Sequence, residues 1–384
     1  MFGGGKKVVG LDIGSSQVKA VELRKSGKGL ELARLGVADV YPNGDRAAAG
    51  SSDLFSLKVN AIQSALQKGR ITAKHAISAV SGESIIVRYI QLPEMPEAEL
   101  KAALRWEAEE YIPFAIDEVN LDSVVLGPSA VQGKVDVLLV SARKDLVNEH
   151  VQMVRGAGLI PIIVDVEGFA FLNCFEATYK PAVNECVCLV HIGAEVTNIN
   201  VYVGNTSRFS RDIGIAGNSL TDAISQKCGL PYLRAEELKR KVGAASPDRG
   251  DEETGGDDSE LISSIRGAVQ RITGSDLGDD SPETTASKAI MNTLSQLVSE
   301  VRRSIQFFES QAGGATIQRV IIGGGSSRLK NLPKFLQSEL DIAVELFDPL
   351  RGIAVSKDID TELLDAHREQ LSAAIGLALR KVLD

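Results

Sequence analysis

The sequence predicts an α/β fold of two duplicated halves around a cleft, and three observations carry that reading. An apolar, β-branched run at Val8–Ile13 breaks into a turn at Gly14, and a second run at Cys186–Ile192 breaks at Gly193. Each ends in x-Ile-Gly and is followed by another strand, so two strand-turn-strand hairpins can face one another and hold a polyphosphate from opposite sides. A third apolar strand at 319–322 enters Gly323-Gly324-Gly325-Ser326, where backbone without side chains can lie against a planar group.

Composition bounds what such a cleft can serve. A chain of 384 residues, 44% hydrophobic and 24% charged, can bury a full core in two or more subdomains. The formal net charge of −9 argues against nucleic acid and anionic membrane as direct partners of the whole chain. Four cysteines, at 174, 186, 188 and 228, lack disulfide or metal-ligand spacing and fit a reducing compartment. The expectation is a cytoplasmic protein, since no apolar run reaches the ~18 residues needed to cross a bilayer and no signal core follows the first residues.

In order along the chain, strands at 8–13, 18–23 and 30–40 read as a meander. In the first turn Gly14 permits close backbone approach, Ser15 and Ser16 add donors and Lys19 a cation, a set suited to phosphate oxygens. Asp12, at the strand end, suits a hydrated Mg²⁺. Taken alone the turn also reads as a plain strand-to-turn corner, and the Walker spacing is absent. A polar loop at 43–52 precedes a helix at 54–67 that ends at Gly69.

A small α+β unit then interrupts the larger body. It comprises strands at 76–80 and 85–91, a helix that starts behind Pro96 and stops before Pro113, strands at 119–126 and 135–141, and a helix at 144–157. Trp106, the only tryptophan, is expected to anchor this unit's core, with a partner pocket as the alternative.

The chain returns through 161–166 and a helix at 168–179, with Glu167 at the junction. The second hairpin follows, Thr197 opening its second strand, and residues 208–217 lead into a helix at 220–228. In a short helix at 235–241, Glu236, Lys239 and Arg240 share a face; they read either as a solvated ion-paired face or as joint contacts to one ligand. Residues 243–260 and 274–283, acidic and rich in glycine and serine, read as mobile loops. Between them Leu261, Ile262, Ile265, Val269 and Ile272 form an amphipathic helix, and Ile290 to Phe308 a longer one. The last helix, 371–383, has small residues at Ala373, Ala374 and Gly376 that suit close packing. Cys186 and Cys188 read as core fillers, and His75, His150 and His367 as carrying no chemistry.

Asp12-x-Gly14-Ser15-Ser16, Ile192-Gly193, Ala235-Glu236-Glu237-Leu238-Lys239 and Gly323 to Ser326, in that order and spacing, resemble the actin-like ATPase superfamily, of ribonuclease H-like fold. The insertion point of the small unit is similar to that of the cell-division protein FtsA. Tyr89-Ile90-Gln91-Leu92-Pro93, Met95-Pro96, residues 105–114 and residues 298–308 resemble the PilM family, the cytoplasmic actin-like component of type IV pilus assembly and twitching motility.

The resemblance implies ATP or ADP with Mg²⁺ between two halves. Asp12, Gly14, Ser15, Ser16 and Lys19 would serve phosphates and metal, the metal held by Asp12 through water because hydrated Mg²⁺ keeps its waters. Gly193 and Thr197 belong to the second phosphate hairpin, Glu236, Lys239 and Arg240 would serve ribose and adenine, and Gly323, Gly324, Gly325 and Ser326 the adenine pocket. Glu167 matches the residue that orients attacking water, with Asp165 second. His191 stands where the family's second hairpin usually has Asp and cannot replace a carboxylate around Mg²⁺, so slow or negligible hydrolysis is expected.

The implied partners are the N-terminal cytoplasmic peptide of PilN and other pilus platform and motor proteins, with inner-membrane association through those partners, no nucleic acid, and a homo-oligomer or ring. The implied organisation is a first core subdomain at 1–75, 158–184 and 368–384, an insert at 76–157, a second core subdomain at 185–228 and 316–367, and a peripheral helical subdomain at 229–315. An FtsA-like membrane-associated filament protein is the alternative, disfavoured by the expected lack of a terminal amphipathic helix. A small-molecule kinase of the same superfamily is a further one, disfavoured by the small insert.

Overall fold

The computed structural model describes residues 7–27, 29–42, 44, 46, 53–204, 206–244 and 281–382. Its leading elements are β1 (Val8–Ile13), β2 (Gln17–Ser26), β3 (Gly29–Asp39), α1 (Leu54–Lys68) and β4 (His75–Val80). The inserted unit contributes β5 (Ile85–Pro93), α2 (Glu97–Tyr111), β6 (Val119–Pro128), β7 (Lys134–Arg143) and α3 (Lys144–Gly156), and β8 (Ile160–Val166) with α4 (Glu167–Tyr179) returns to the main body. The second half holds β9 (Cys186–Ile192), β10 (Thr197–Val203), β11 (Thr206–Ile213), α5 (Gly217–Cys228), α6 (Tyr232–Val242) and α7 (Pro282–Gln311). After them come β12 (Arg319–Gly323), α8 (Leu332–Leu340), β13 (Val344–Leu346), β14 (Ala354–Val355), α9 (Thr361–His367) and α10 (Ser372–Val382).

The duplication is visible in strand order. One sheet runs β14-β3-β2-β1-β4-β8 and the other β11-β10-β9-β12-β13. In each, an antiparallel meander is extended by a strand parallel to its first member, β4 beside β1 and β12 beside β9. The turns match bond for bond: the Gly14 amide donates to the Gln17 carbonyl at 3.1 Å, and the Gly193 amide to the Val196 carbonyl at 3.0 Å. On the rung below each turn, Asp12 lies opposite Lys19 and His191 opposite Asn198.

Two helices are wedged between the sheets and hold the halves at a fixed distance. α10 packs on β1 so closely that a Cβ on Gly10 would sit 2.1 Å from the Ala374 carbonyl oxygen. It crosses α4 where a Cβ on Gly376 would lie 1.7 Å from the Ala170 carbonyl, so the small-residue pattern of the last helix has its reason in backbone contact. One buried cluster takes Val21 and Leu35 from the first sheet, Phe171 and Phe175 from α4, Leu189, Tyr202 and Ile321 from the second sheet, and Ile375 from α10. Cys186 and Cys188 are buried, as expected of core fillers.

The inserted unit is a three-stranded sheet, β5-β7-β6, covered by α2. Its core is Leu92, Leu100, Leu104, Ala108, Val137 and Leu139 with their neighbours. Trp106 is not among them. The expectation that it anchors the core is corrected: its position, two residues past Leu104 and two before Ala108, falls on the outer face of α2, and it is 76% exposed.

Other differences follow from local chemistry. Of the stretch 208–217, read as a lead-in to a helix, residues 208–213 belong to strand β11, whose alternation is blurred by its polar residues, and Gly217 already opens α5. α7 begins at Pro282, capped by the Ser281 hydroxyl accepting the Thr284 amide at 3.1 Å, so the last residues assigned to an acidic loop are helical. The remainder of the two acidic stretches, the amphipathic helix at 261–272 and most of the polar loop at 43–52 lie outside the described residues.

Candidate functional site

The ends of β1, β2, β9 and β10 and the N-terminus of α4 converge. Asp12, 7% exposed, lies 3.2 Å from Lys19 Nζ on the neighbouring strand. Glu167, the first residue of α4, brings Oε1 to 3.4 Å from His191 Nδ1 at the end of β9. Burial is the main cause that pushes the Glu167 carboxyl up to about 7; the charges of Asp12 and Asp212 push the same way, while a hydrogen bond with Ser81 and the charge of Lys19 pull it back. His191 is buried and its pKa falls to about 4, burial again dominating. It is therefore a neutral imidazole at neutral pH, and its contact with Glu167 is not an ion pair. His191 senses the charges of both Asp12 and Lys19, so the ends of the two hairpins lie near one another.

The second hairpin is knitted to the other glycine segment by backbone. The Gly193 carbonyl accepts from the Gly217 amide at 3.1 Å and from Ser326 Oγ at 2.8 Å, and the Ala194 carbonyl accepts from the Asn218 amide at 2.7 Å. Gly324 has φ +86°, and a Cβ there would lie 2.5 Å from the Ile192 carbonyl oxygen. Gly323, at the end of β12, faces the Phe171 ring, whereas a Cβ on Gly325 would meet nothing nearer than Gln370 at 3.7 Å. Of this cluster, Gly325 borders free space and the others are filled by protein.

Three predicted residues on α6 extend the same network. Lys239 Nζ donates to the Gly217 carbonyl at 3.1 Å and to Thr221 Oγ1 at 2.8 Å, and lies 2.5 Å from Glu236 Oε2. Glu236 also accepts from Thr221 at 2.6 Å and from Arg240 Nε at 3.0 Å. Lys239 is buried while Arg240 is exposed, so the three side chains form a partly buried knot beneath α5 with Arg240 at its open rim. Ser15 is half-buried and Ser16 exposed at the first turn, where the Ser16 carbonyl accepts from the Val40 amide.

Two residues lie elsewhere than the cleft chemistry would require. The Thr197 hydroxyl is buried and donates to the Ile215 carbonyl at 2.7 Å, which supports the hairpin from behind. Asp165 points to Arg380 of α10, 3.1 Å away, rather than to Asp12. Conversely, Asp212 was not singled out in the sequence. It lies on β11 with Oδ1 accepting from Asn198 Nδ2 at 2.6 Å and Oδ2 from the Gly82 amide at 2.9 Å. Its signal was faint: a lone carboxylate in a polar strand, two residues before the glycine-rich entry to α5.

The residues present suit a cation carried with a polyphosphate. Asp12 acts on Glu167 as a like charge, opposed by Lys19, and a cation held beside Asp12 would relieve that repulsion. Among the described residues no group of three or more histidine, cysteine, aspartate or glutamate side chains forms a self-sufficient metal cage, so most of the cation's ligands would have to be water and phosphate.

Comparison with known proteins adds to this geometry. A family model described as type IV pilus assembly protein PilM matches residues 10–248 and 277–382. A solved PilM-PilN type IV pilus biogenesis complex contains a chain 30% identical to this one, with TM-score 0.76 and 98% of each chain covered. Cell division protein FtsA of Escherichia coli K12 is 26% identical over 373 residues, covering 90% of this chain and 84% of that protein. For FtsA of Buchnera aphidicola the identity is 26% over 69% of this chain, and the match spans 60% of that relative's length. MreB5 of Spiroplasma citri bound to AMPPNP aligns with TM-score 0.50 at 12% identity, over 97% of this chain and 94% of that one, a likeness of fold alone. The fold is the actin-like ATPase fold with a small inserted α+β unit.

Proposed function

The chain belongs to the PilM family of type IV pilus assembly proteins, and from that premise we propose that it binds ATP or ADP with Mg²⁺ in its cleft, turns it over slowly or not at all, and holds the N-terminal cytoplasmic tail of a PilN-type inner-membrane protein. The observation that carries the nucleotide reading is the meeting of Asp12, Lys19, Glu167 and His191 between the two matched turns. Lys19 and the Gly14-Ser15-Ser16 turn bind phosphate oxygens, Asp12 orients a hydrated Mg²⁺, and α6 with Gly325 borders the ribose and base. Bound Mg²⁺ supplies charge neutralisation between phosphate oxygens.

Slow turnover has one support. The second hairpin offers a neutral imidazole where a carboxylate would hold metal-bound water. The expected result is bound nucleotide in protein purified without added ATP, with Asp12→Ala weakening ATP·Mg binding about tenfold to a hundredfold, as for loss of a charged contact. Undiminished binding by that variant would refute the assignment, and rapid hydrolysis by the wild type would refute slow turnover.

A tail that binds as an extended strand needs an open sheet edge with apolar pockets. β8 is an edge of the first sheet, with Ile160 53% and Ile162 42% exposed. β6 is an edge of the inserted sheet, with exposed Val124 and Val125. The two edges are neighbours, since Asp122 on β6 acts electrostatically on Asp165 of β8. Ile162→Asp should abolish capture of a PilN-tail peptide without altering nucleotide binding; retention of the peptide would move the site elsewhere. Such a contact would put the chain at the inner-membrane platform through its partner. Among the described residues no helix is long and apolar enough to cross a membrane.

A further inference from the structure

The inserted unit is joined to the first sheet by a short connection between β4 and β5, and that connection is gripped by both halves of the molecule. Ser81 hydrogen-bonds to Glu167 of α4, in the first half. The next residue, Gly82 with φ +106°, donates its amide to Asp212 Oδ2 of β11, in the second half, at 2.9 Å. The other oxygen of Asp212 accepts from Asn198, which stands opposite His191 in the second hairpin. A single carboxylate thus ties the second hairpin to the root of the insert.

β11 carries the tie further. At its far end, Tyr89 of β5 hydrogen-bonds to Ser207 Oγ at 2.5 Å, and Arg208 reaches Asp136 of β7 at 2.8 Å. The six residues from Ser207 to Asp212 span about 17 Å of extended strand. β11 is therefore a rod with the cleft at one end and the inserted sheet along the other, and a rotation of the second half relative to the first must move the insert or break these bonds.

We propose that β11 and the Ser81-Gly82 turn couple the state of the cleft to the position of the inserted unit, with Asp212 as the positioning residue and Tyr89 and Arg208 as the distal grip. This rests on the nucleotide reading above and goes beyond it, because it assigns a route from the cleft to the face proposed for the tail peptide. Asp212 does this through two hydrogen bonds and needs no contact with nucleotide.

The test is amide hydrogen exchange of the full chain with and without ATP·Mg, alongside a direct nucleotide-binding titration. In the wild type ATP·Mg is expected to slow exchange at residues 82–93 and 134–143 about fivefold or more. Asp212→Ala should bind ATP within about threefold of the wild type yet show less than about a twofold change at those residues, with Asp212→Asn, which keeps an oxygen for the Gly82 amide, restoring most of the response. Should the Ala variant not fold, the double variant Tyr89→Phe/Arg208→Ala decides, and is expected to lose the response at 134–143 while keeping ATP binding. Wild-type exchange that ignores bound ATP, or variants that respond as the wild type does, would overturn the coupling alone. Failure of the wild type to bind ATP in the titration would overturn the nucleotide reading and the coupling with it.

Discussion

Removing the charge of Glu167 should stabilise the nucleotide-free protein at alkaline pH and change nothing in acid. The carboxyl is raised from 4.5 to about 7 by burial, then by Asp12 and Asp212. Below the unfolded value it is protonated in both states and costs nothing. As pH rises from about 4.5 to about 7 the unfolded chain sheds a proton that the folded chain retains, so folding stability falls across that window and is flat above it. A displacement of that size corresponds to at most about 3 kcal/mol, and because 20% of the side chain remains in contact with solvent we take about 1–2 kcal/mol. Glu167→Gln keeps an acceptor for Ser81 and loses the ionisation. His191 titrates from 6.5 in the unfolded chain to about 4 in the folded one, so its stability contribution is lost as pH falls through that range in both proteins and largely cancels in their difference.

The assay is the thermal or urea midpoint of both proteins at pH 4, 5, 6, 7 and 8, free of nucleotide and divalent cation. The midpoints should coincide at the acid end and separate by about 1–3 °C at pH 8, the variant melting higher. Equal midpoints at pH 8, or a variant that melts lower there, would show that Lys19 holds Glu167 as a stabilised anion and would refute the reasoning.

Two further outcomes test other parts of the structure. Gly324→Ala should lower stability by about 2–4 kcal/mol, because its Cβ would strike the Ile192 carbonyl at a positive φ, whereas Gly325→Ala, with its nearest neighbour at 3.7 Å, should stay within about 0.5 kcal/mol; chemical denaturation of both separates a backbone closure from a general intolerance. Intrinsic fluorescence, which comes from the single tryptophan, should show solvent-like emission and ready quenching by acrylamide, and Trp106→Ala should leave the melting midpoint unchanged; blue-shifted, protected emission in the isolated chain would contradict its 76% exposure.

The parts legible in the sequence were those in which backbone geometry and side-chain type are locally bound together. The x-Ile-Gly turns of the two hairpins, the Pro-bounded helix α2 and the small residues of α10 each announce their structure through a few adjacent positions. What escaped was set by distant partners. The role of Asp212 depends on Gly82, 130 positions away, and that of Thr197 on the Ile215 carbonyl across a turn. Trp106 was misjudged because hydrophobicity was weighed before helical phase, which puts it opposite Leu100, Leu104 and Ala108. β13 and β14 are too short to announce themselves by periodicity and owe their existence to neighbours in the finished sheets.

The duplication itself explains the asymmetry of the cleft. Equivalent rungs carry an ion pair, Asp12 with Lys19, in one hairpin and a neutral pair, His191 with Asn198, in the other. In the neutral hairpin the Gly193 and Ala194 carbonyls are engaged by Gly217, Asn218 and Ser326, and its Asn198 is committed to Asp212. Charge in this copy would be held in a site closed by backbone, where desolvation is costly. A neutral side chain at position 191 avoids that cost. It also leaves Glu167 facing an uncharged neighbour, the condition under which its proton is retained near neutral pH.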